Sequence, residues 1–278
     1  MIFTYKRWRK FCLELKNNGR SSIPACEVNN NVKSFFVLKH DVETNVKKAF
    51  NIARIEMEYG HRGSYYVQAN LLNDVKNVKM LQQMQEMGHE ISYHHDVLDS
   101  NKGDLDKAII EYEKNVAAFE NYGFKVETVC QHGNPVIERK GYNSNRDFFR
   151  SEKVQALYPE VSDIMVDFQM KKCQGGYKYF SDAGRKFKWI YDPINNDIVN
   201  SDDKNVAYKD ANELLTAVLE LDDSSIVSIH PHRWTRCAIS FIFKTAMFKI
   251  IRFTAKLLIK IPFMKKFFSK YYHLAKKI

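Results

Sequence analysis

Apolar positions along the chain follow two periods. Runs near residues 35–40, 63–68, 89–94, 126–131 and 226–230 are short and β-rich, and polar residues or glycines bound them. Between them lie stretches whose apolar residues recur at spacings of three and four, the signature of a helix with one buried face. The spacing predicts a helix over 45–59, with Val46, Ala49, Phe50, Ala53 and Met57 on that face, and further helices over 75–87, 104–122 and 211–221. Gly60, Gly88 and Gly123 follow the first three helices, where a left-handed residue commonly ends them. Residues 136–205 are less regular, with strands predicted near 164–166, 177–180 and 189–191. Strands alternating with helices imply an α/β fold built on a parallel sheet with right-handed crossovers.

In such sheets and barrels the working site lies at the carboxyl ends of the strands. Four polar segments fall there and hold six of the nine histidines: Lys39-His40-Asp41-Val42-Glu43, Ser92-Tyr93-His94-His95-Asp96, the stretch 130–135 around His132, and Ser228-Ile229-His230-Pro231-His232. Imidazoles and carboxylates gathered at successive strand ends are what a divalent metal with an activated water requires.

Asp41 and Glu43 flank Val42 and point the same way from an extended strand end, about 7 Å apart. One carboxylate can hold a metal while the other takes a proton; either could instead cap the helix that follows. His94 and Asp96 share a face of their strand, and His95 turns away. His132 is either a metal ligand or a ring bonded to its own loop. Histidine suits a general acid, since its pKa lies near neutral pH, which draws attention to His230. Asp182 could orient a catalytic histidine, and Arg185 could orient Asp182 or bind an anionic group; an ordinary surface ion pair is the alternative for these two.

The order Leu38-Lys39-His40-Asp41-Val42-Glu43, Gly88-His89-Glu90-Ile91-Ser92-Tyr93-His94 and Ile226-Val227-Ser228-Ile229-His230 resembles the polysaccharide deacetylases, the NodB-like enzymes of carbohydrate esterase family four. The resemblance spans about residues 34–232. It is closest to a branch found with surface-polysaccharide biosynthesis, whose His-Gly-x-Pro and Asp-x-Gly-Arg patterns match residues 132–135 and 182–185. It implies a distorted (β/α) barrel of about seven parallel strands and metal-dependent removal of N- or O-acetyl groups from sugars. Asp41 falls on the family's catalytic base, Glu43 on a metal-ligand carboxylate that is usually aspartate, His94 on the first metal histidine and His230 on the general acid. A water on the metal would give its proton to Asp41, His230 would protonate the leaving group, and Asp182 would orient that acid. The chain departs from the pattern at Leu98, where the family has its second metal histidine. His132 is the favoured replacement and Asp96 the alternative. Zinc is the expected ion, with cobalt, nickel or manganese as substitutes; Tyr93, Arg185, Arg233 and Trp234 are the expected sugar contacts.

Charge changes the picture at the C-terminus. Residues 237–278 hold nine lysines, one arginine and no acidic residue, which leaves 33 basic and 33 acidic residues in the rest of the chain. The body is neutral, with no basic patch carrying a recognition motif, so nucleic-acid binding is not expected. Lys249, Arg252, Lys256 and Lys260 form one stripe beside apolar residues, and Pro262 interrupts the pattern before 263–277 repeats it. No charge-free run approaches membrane-spanning length. A 1–235 barrel with a 236–278 basic amphipathic tail on an anionic membrane surface is expected; ordinary packing of the tail on the barrel is the alternative. A lipid-linked saccharide then suits the site as substrate. The first 15 residues are interrupted by charge and lack a signal-peptide core, and five cysteines without CxxC spacing indicate neither a disulfide framework nor a zinc finger. The expected location is cytoplasmic, peripheral at the inner face of the membrane. A catalytically inactive deacetylase-like binding protein, and a hydrolase of other amides or esters, are the competing readings.

Overall fold

The computed structural model describes residues 2–29, 34–134, 137–166, 177–183, 187–190, 206–221 and 224–258. In chain order the principal elements are α1 (Tyr5–Asn17), β1 (Phe36–Val42), α2 (Val46–Glu58), β2 (Gly63–Val67), α3 (Val75–Glu86), β3 (Glu90–His95), α4 (Val97–Ser100), α5 (Leu105–Asn121) and β4 (Thr128–Gln131). They continue with α6 (Asp147–Arg150), α7 (Glu152–Leu157), β5 (Ser162–Asp163), β6 (Lys178–Ser181), β7 (Lys188–Ile190), β8 (Val206–Ala207), α8 (Ala211–Leu219), β9 (Ser225–Ile229) and α9 (Ala238–Leu258).

The strands form one mixed sheet of nine in the order β5-β4-β3-β2-β1-β9-β6-β7-β8. Seven neighbours, β5 through β6, run parallel, whereas β7 and β8 are antiparallel additions. The expected α/β class holds, but a closed seven-strand barrel is not what the ladders make: among the described residues none joins β5 to β6. The two ends of the parallel run do approach, since Tyr177 Oη donates to the Ile164 carbonyl at 3.1 Å.

Strand periodicity decides what each face carries. From β1, Phe36, Leu38 and Val42 join the large apolar cluster that the helices cover, while Val37 joins a smaller cluster on the opposite face with Tyr66, Cys130, Tyr179 and Ile226. Lys39 and Asp41 share that second face with Val37. Burying both faces explains why these strands read as short continuous apolar runs.

Helix ends follow local chemistry. Asn45 accepts from the Lys48 amide at 3.0 Å and caps α2, so neither Asp41 nor Glu43 is needed there. Gly60, at φ +80°, closes the same helix in the left-handed region. Two expectations shift. Met57 is 45% exposed, and Ile52 and Ile55 supply the buried face instead. The strand expected at 164–166 forms two residues earlier, because Asp163 Oδ1 accepts from the Met165 amide at 2.8 Å and turns the chain. The described cysteines, Cys12, Cys26, Cys130 and Cys237, are free. In α9, Phe241 packs on Phe3 with ring centroids 5.3 Å apart, while Ile239, Ile242, Phe243, Ile250 and Phe253 are exposed. No helix among the described residues is long and apolar enough to cross a membrane.

Candidate metal and acid–base site

The carboxyl ends of β1, β3, β4 and β9 bring together Asp41, Glu43, His94, His132 and His230. His94 is the common member of two ligand groups, Glu43–His94–His132 and Asp41–His94–Cys130, in each of which the donor atoms lie within 4.8 Å of one another. His94 Nδ1–H donates to the Cys130 carbonyl at 3.0 Å, which turns Nε2 and its lone pair toward the pocket. Burial, with His132 and Lys39 adding to it, pushes the His94 pKa down to about 3, so the ring is neutral as a ligand must be. The His132 and His94 rings meet edge to face at 5.2 Å, and His132 Nε2 lies 3.6 Å from Glu43 Oε1. Tetrahedral ligands about 2.0–2.1 Å from zinc sit about 3.4 Å apart. The Glu43–His132 distance is close to that spacing, and with His94 donors within 4.8 Å the carboxylate and two imidazoles form a group that could hold a divalent ion.

The loop carrying His132 is held from behind. Asn145 Nδ2 donates to the His132 carbonyl at 2.8 Å and to Asp99 Oδ2 at 2.9 Å, and Asp99 also takes a two-pronged contact from Arg139 at 2.8 Å. Leu98, beside Asp99 in α4, is core. The α4 turn after β3 is thus structural here, and His132 reaches the pocket from the end of β4.

His230 sits at the other side. Its Nδ1–H donates to Asp182 Oδ1 at 2.6 Å, and its Nε2 lies 3.7 Å from Asp41 Oδ2 and 3.9 Å from Glu43 Oε1. Asp182 is fully buried and also accepts from the His230 amide, from Arg233 Nη1 at 3.1 Å and from Trp234 Nε1 at 3.3 Å. Burial alone would raise its carboxyl; His230 and Arg233 outweigh that and hold it below the usual carboxylate range. Asp41 is buried too, but Lys39, His94 and His230 hold its carboxyl well below that range.

No family model matches the chain, and neither does any curated protein or solved structure.

Three expected sugar contacts are placed otherwise. Tyr93 is buried on the helix-facing side of β3, against Tyr112 and Phe119, with its hydroxyl bonded to Asn115. The alternation that turns His94 inward turns Tyr93 outward. Trp234 stacks on Phe3 and packs against Trp8. Arg233 is spent on Asp182. Both residues donate to Asp182 behind the His230 ring. Arg185 lies outside the described residues. Asp96 Oδ2 is 3.9 Å from His132 Nδ1, on the far edge of that ring from Glu43. His95 points away, as expected, and donates to Asp163 at 3.1 Å.

Sequence reasoning passed over Lys39, which reaches Asp41 from below at 2.5 Å. Its signal was parity: two residues before Asp41 in a strand, it shares that face. A second buried group lies behind the sheet, where Glu56 accepts from Trp8 Nε1 (3.0 Å), Tyr65 Oη (2.7 Å) and His40 Nε2 (3.0 Å). It explains His40 as a structural residue.

Proposed function

We propose that this chain is a metal-dependent, NodB-like deacetylase that removes an acetyl group from a sugar in a cell-envelope polysaccharide or lipid-linked saccharide pathway. The observation that carries the reading is the meeting of Glu43, His94 and His132 within ligand distance, beside one further carboxylate and an Asp–His pair. A divalent ion there, zinc first and cobalt, nickel or manganese as substitutes, supplies an acidified water and polarises the acetyl carbonyl. Asp41 Oδ2, on the pocket side of its carboxylate, accepts the proton of the attacking water. His230 Nε2 delivers a proton to the departing amine or alcohol, and Asp182 stabilises the imidazolium that precedes this step. On this reading the seven parallel strands curl into the distorted barrel that the resemblance implies.

The tail supports a peripheral position at the inner face of the membrane. Exposed Ile239, Phe243, Ile250 and Phe253 line one side of α9, and 237–278 carries no acidic residue. A second reading, a deacetylase-like protein that binds a glycan or partner without turnover, draws on the Lys39–Asp41 ion pair, which weakens Asp41 as a base. Zinc-loaded protein incubated with N-acetylated and O-acetylated sugars separates the two. Acetate release from sugars but not from simple amides or esters is expected; bound zinc with no acetate released favours the binding protein.

A further inference from the structure

With Tyr93, Arg233 and Trp234 bonded elsewhere, a saccharide at this pocket needs another contact, and one imidazole there has no task inside the fold. Every described histidine except His232 is buried. His232 is half-buried, in the short helical turn Pro231–Arg233 that follows β9. Its ring stands edge to face against the His230 ring, with centroids 5.9 Å apart. Of the two carboxylates that flank His230, Glu43 acts on the His232 ring more strongly than Asp182 does, as expected of a ring on the pocket side of the acid. The turn itself is pinned. Pro231 restricts the backbone at its first position, Lys48 from the start of α2 donates to the His232 carbonyl, and the Arg233 amide donates to the His230 carbonyl at 3.0 Å. The ring atoms are not so employed. Nδ1 is buried without a hydrogen bond, and Nε2 has no partner among the described residues either. A polar edge held open in this way is unfavourable in the free protein and is satisfied when a ligand bonds it.

We propose that His232 is a specificity-determining residue, whose imidazole hydrogen-bonds a hydroxyl of the sugar that carries the acetyl group, beside the atom that His230 protonates. His230 hands its proton to the leaving amine or alcohol, so a group next to His230 and off the metal ligands meets the sugar and not the acetyl carbonyl. A hydroxyl both donates and accepts, and either tautomer of the imidazole can therefore make the bond. The inference rests on the deacetylase reading above and adds to it a means by which the site prefers a saccharide to a simple amide or ester. A contact to a part of the substrate that does not react binds ground state and transition state alike, so its loss raises KM and spares kcat.

Acetate release by the zinc-loaded, full-length protein is the assay. The probes are N-acetyl and O-acetyl hexoses of gluco, galacto and manno configuration, the best substrate being carried forward. His232→Ala should raise KM for that sugar at least about threefold while kcat stays within about threefold. Inhibition by free acetate, which needs no sugar contact, should be unchanged. His232→Gln, whose amide can bond the same hydroxyl, should give a KM between those of the parent and His232→Ala. A merely structural role would not separate KM from kcat or sugar from acetate. A KM rise below about threefold, a kcat loss above about threefold, or a parallel weakening of acetate would overturn the proposal. Circular dichroism checks that His232→Ala is folded. If it is not, carbethoxylation of the parent decides: diethyl pyrocarbonate should modify His232 ahead of His94, His132 and His230, and saturating sugar should protect it. An unmodified or unprotected His232 would overturn the proposal. Bound zinc with no acetate released from any of these sugars would overturn the deacetylase reading itself, a result distinct from a His232→Ala protein that turns over like the parent.

Discussion

Replacing Asp182 with Asn removes one charge from a fully buried cluster and keeps its shape. The carboxylate accepts from the His230 ring and amide, the Arg233 guanidinium and the Trp234 indole. An amide offers one acceptor oxygen, so its NH2 group must face donors on the other side, and Arg233 loses its counter-charge. Removing one partner of a buried ion pair costs about 3–5 kcal/mol. At roughly 2–4 °C per kcal/mol for large single domains, melting should fall by about 10 °C. The folded-state pKa of Asp182 lies below its ordinary value of 3.8. Its contribution is therefore complete above about pH 4 and is lost as pH falls through the depressed value. The variant's deficit should shrink, not grow, on acidification. Turnover should drop about 10²–10⁴-fold, because the amide no longer supplies the negative charge that stabilises the His230 imidazolium. Thermal melts from pH 3 to 7 and acetate-release kinetics check both arms. A melting point within 2 °C of the parent together with turnover within about threefold would refute the reasoning.

Other substitutions separate the roles. Asp41→Asn should retain zinc and lose at least about 10²-fold in turnover; full activity would remove Asp41 from the base position. His94→Ala should emerge from dialysis without metal, and a stoichiometric ion found by elemental analysis would contradict its role as shared ligand. Glu56→Leu leaves the Trp8, Tyr65 and His40 donors without their acceptor and should cost about 3–9 kcal/mol in urea titrations, at about 1–3 kcal/mol per stranded group; a loss under about 1 kcal/mol would show that the cluster relaxes. Deleting 237–278 should abolish co-sedimentation with phosphatidylserine vesicles, and unchanged sedimentation would end the membrane reading.

Much of the site was legible because strand period and strand ends fix direction. Asp41 and Glu43 do point the same way, and each ends within 4 Å of His230 Nε2. His132 meets His94 although 38 positions separate them, a proximity supplied by the β3–β4 register that pairs His94 with Cys130. What was missed has physical reasons. A lysine inside a strand reads as a solvent-facing residue, and only a closed inner face with Asp41 beside it makes Lys39 a buried cation. Tyr93 and Trp234 look like sugar-stacking rings until the opposite face of β3 and the α1 aromatics claim them. Helix α1 itself was passed over, although Trp8, Phe11, Cys12 and Leu15 bury one face at helical spacing. The short β5 could not be separated from the apolar residues after it, because an Asp163 side-chain bond rather than periodicity ends the strand.

Diffraction at the zinc absorption edge, from crystals grown with equimolar zinc, addresses the central claim most directly. One anomalous peak should appear within about 2.0–2.2 Å of a Glu43 oxygen, a His94 nitrogen and a His132 nitrogen, with Cys130 outside its coordination. A peak that engages His94 without His132, or no peak between these residues, would contradict it.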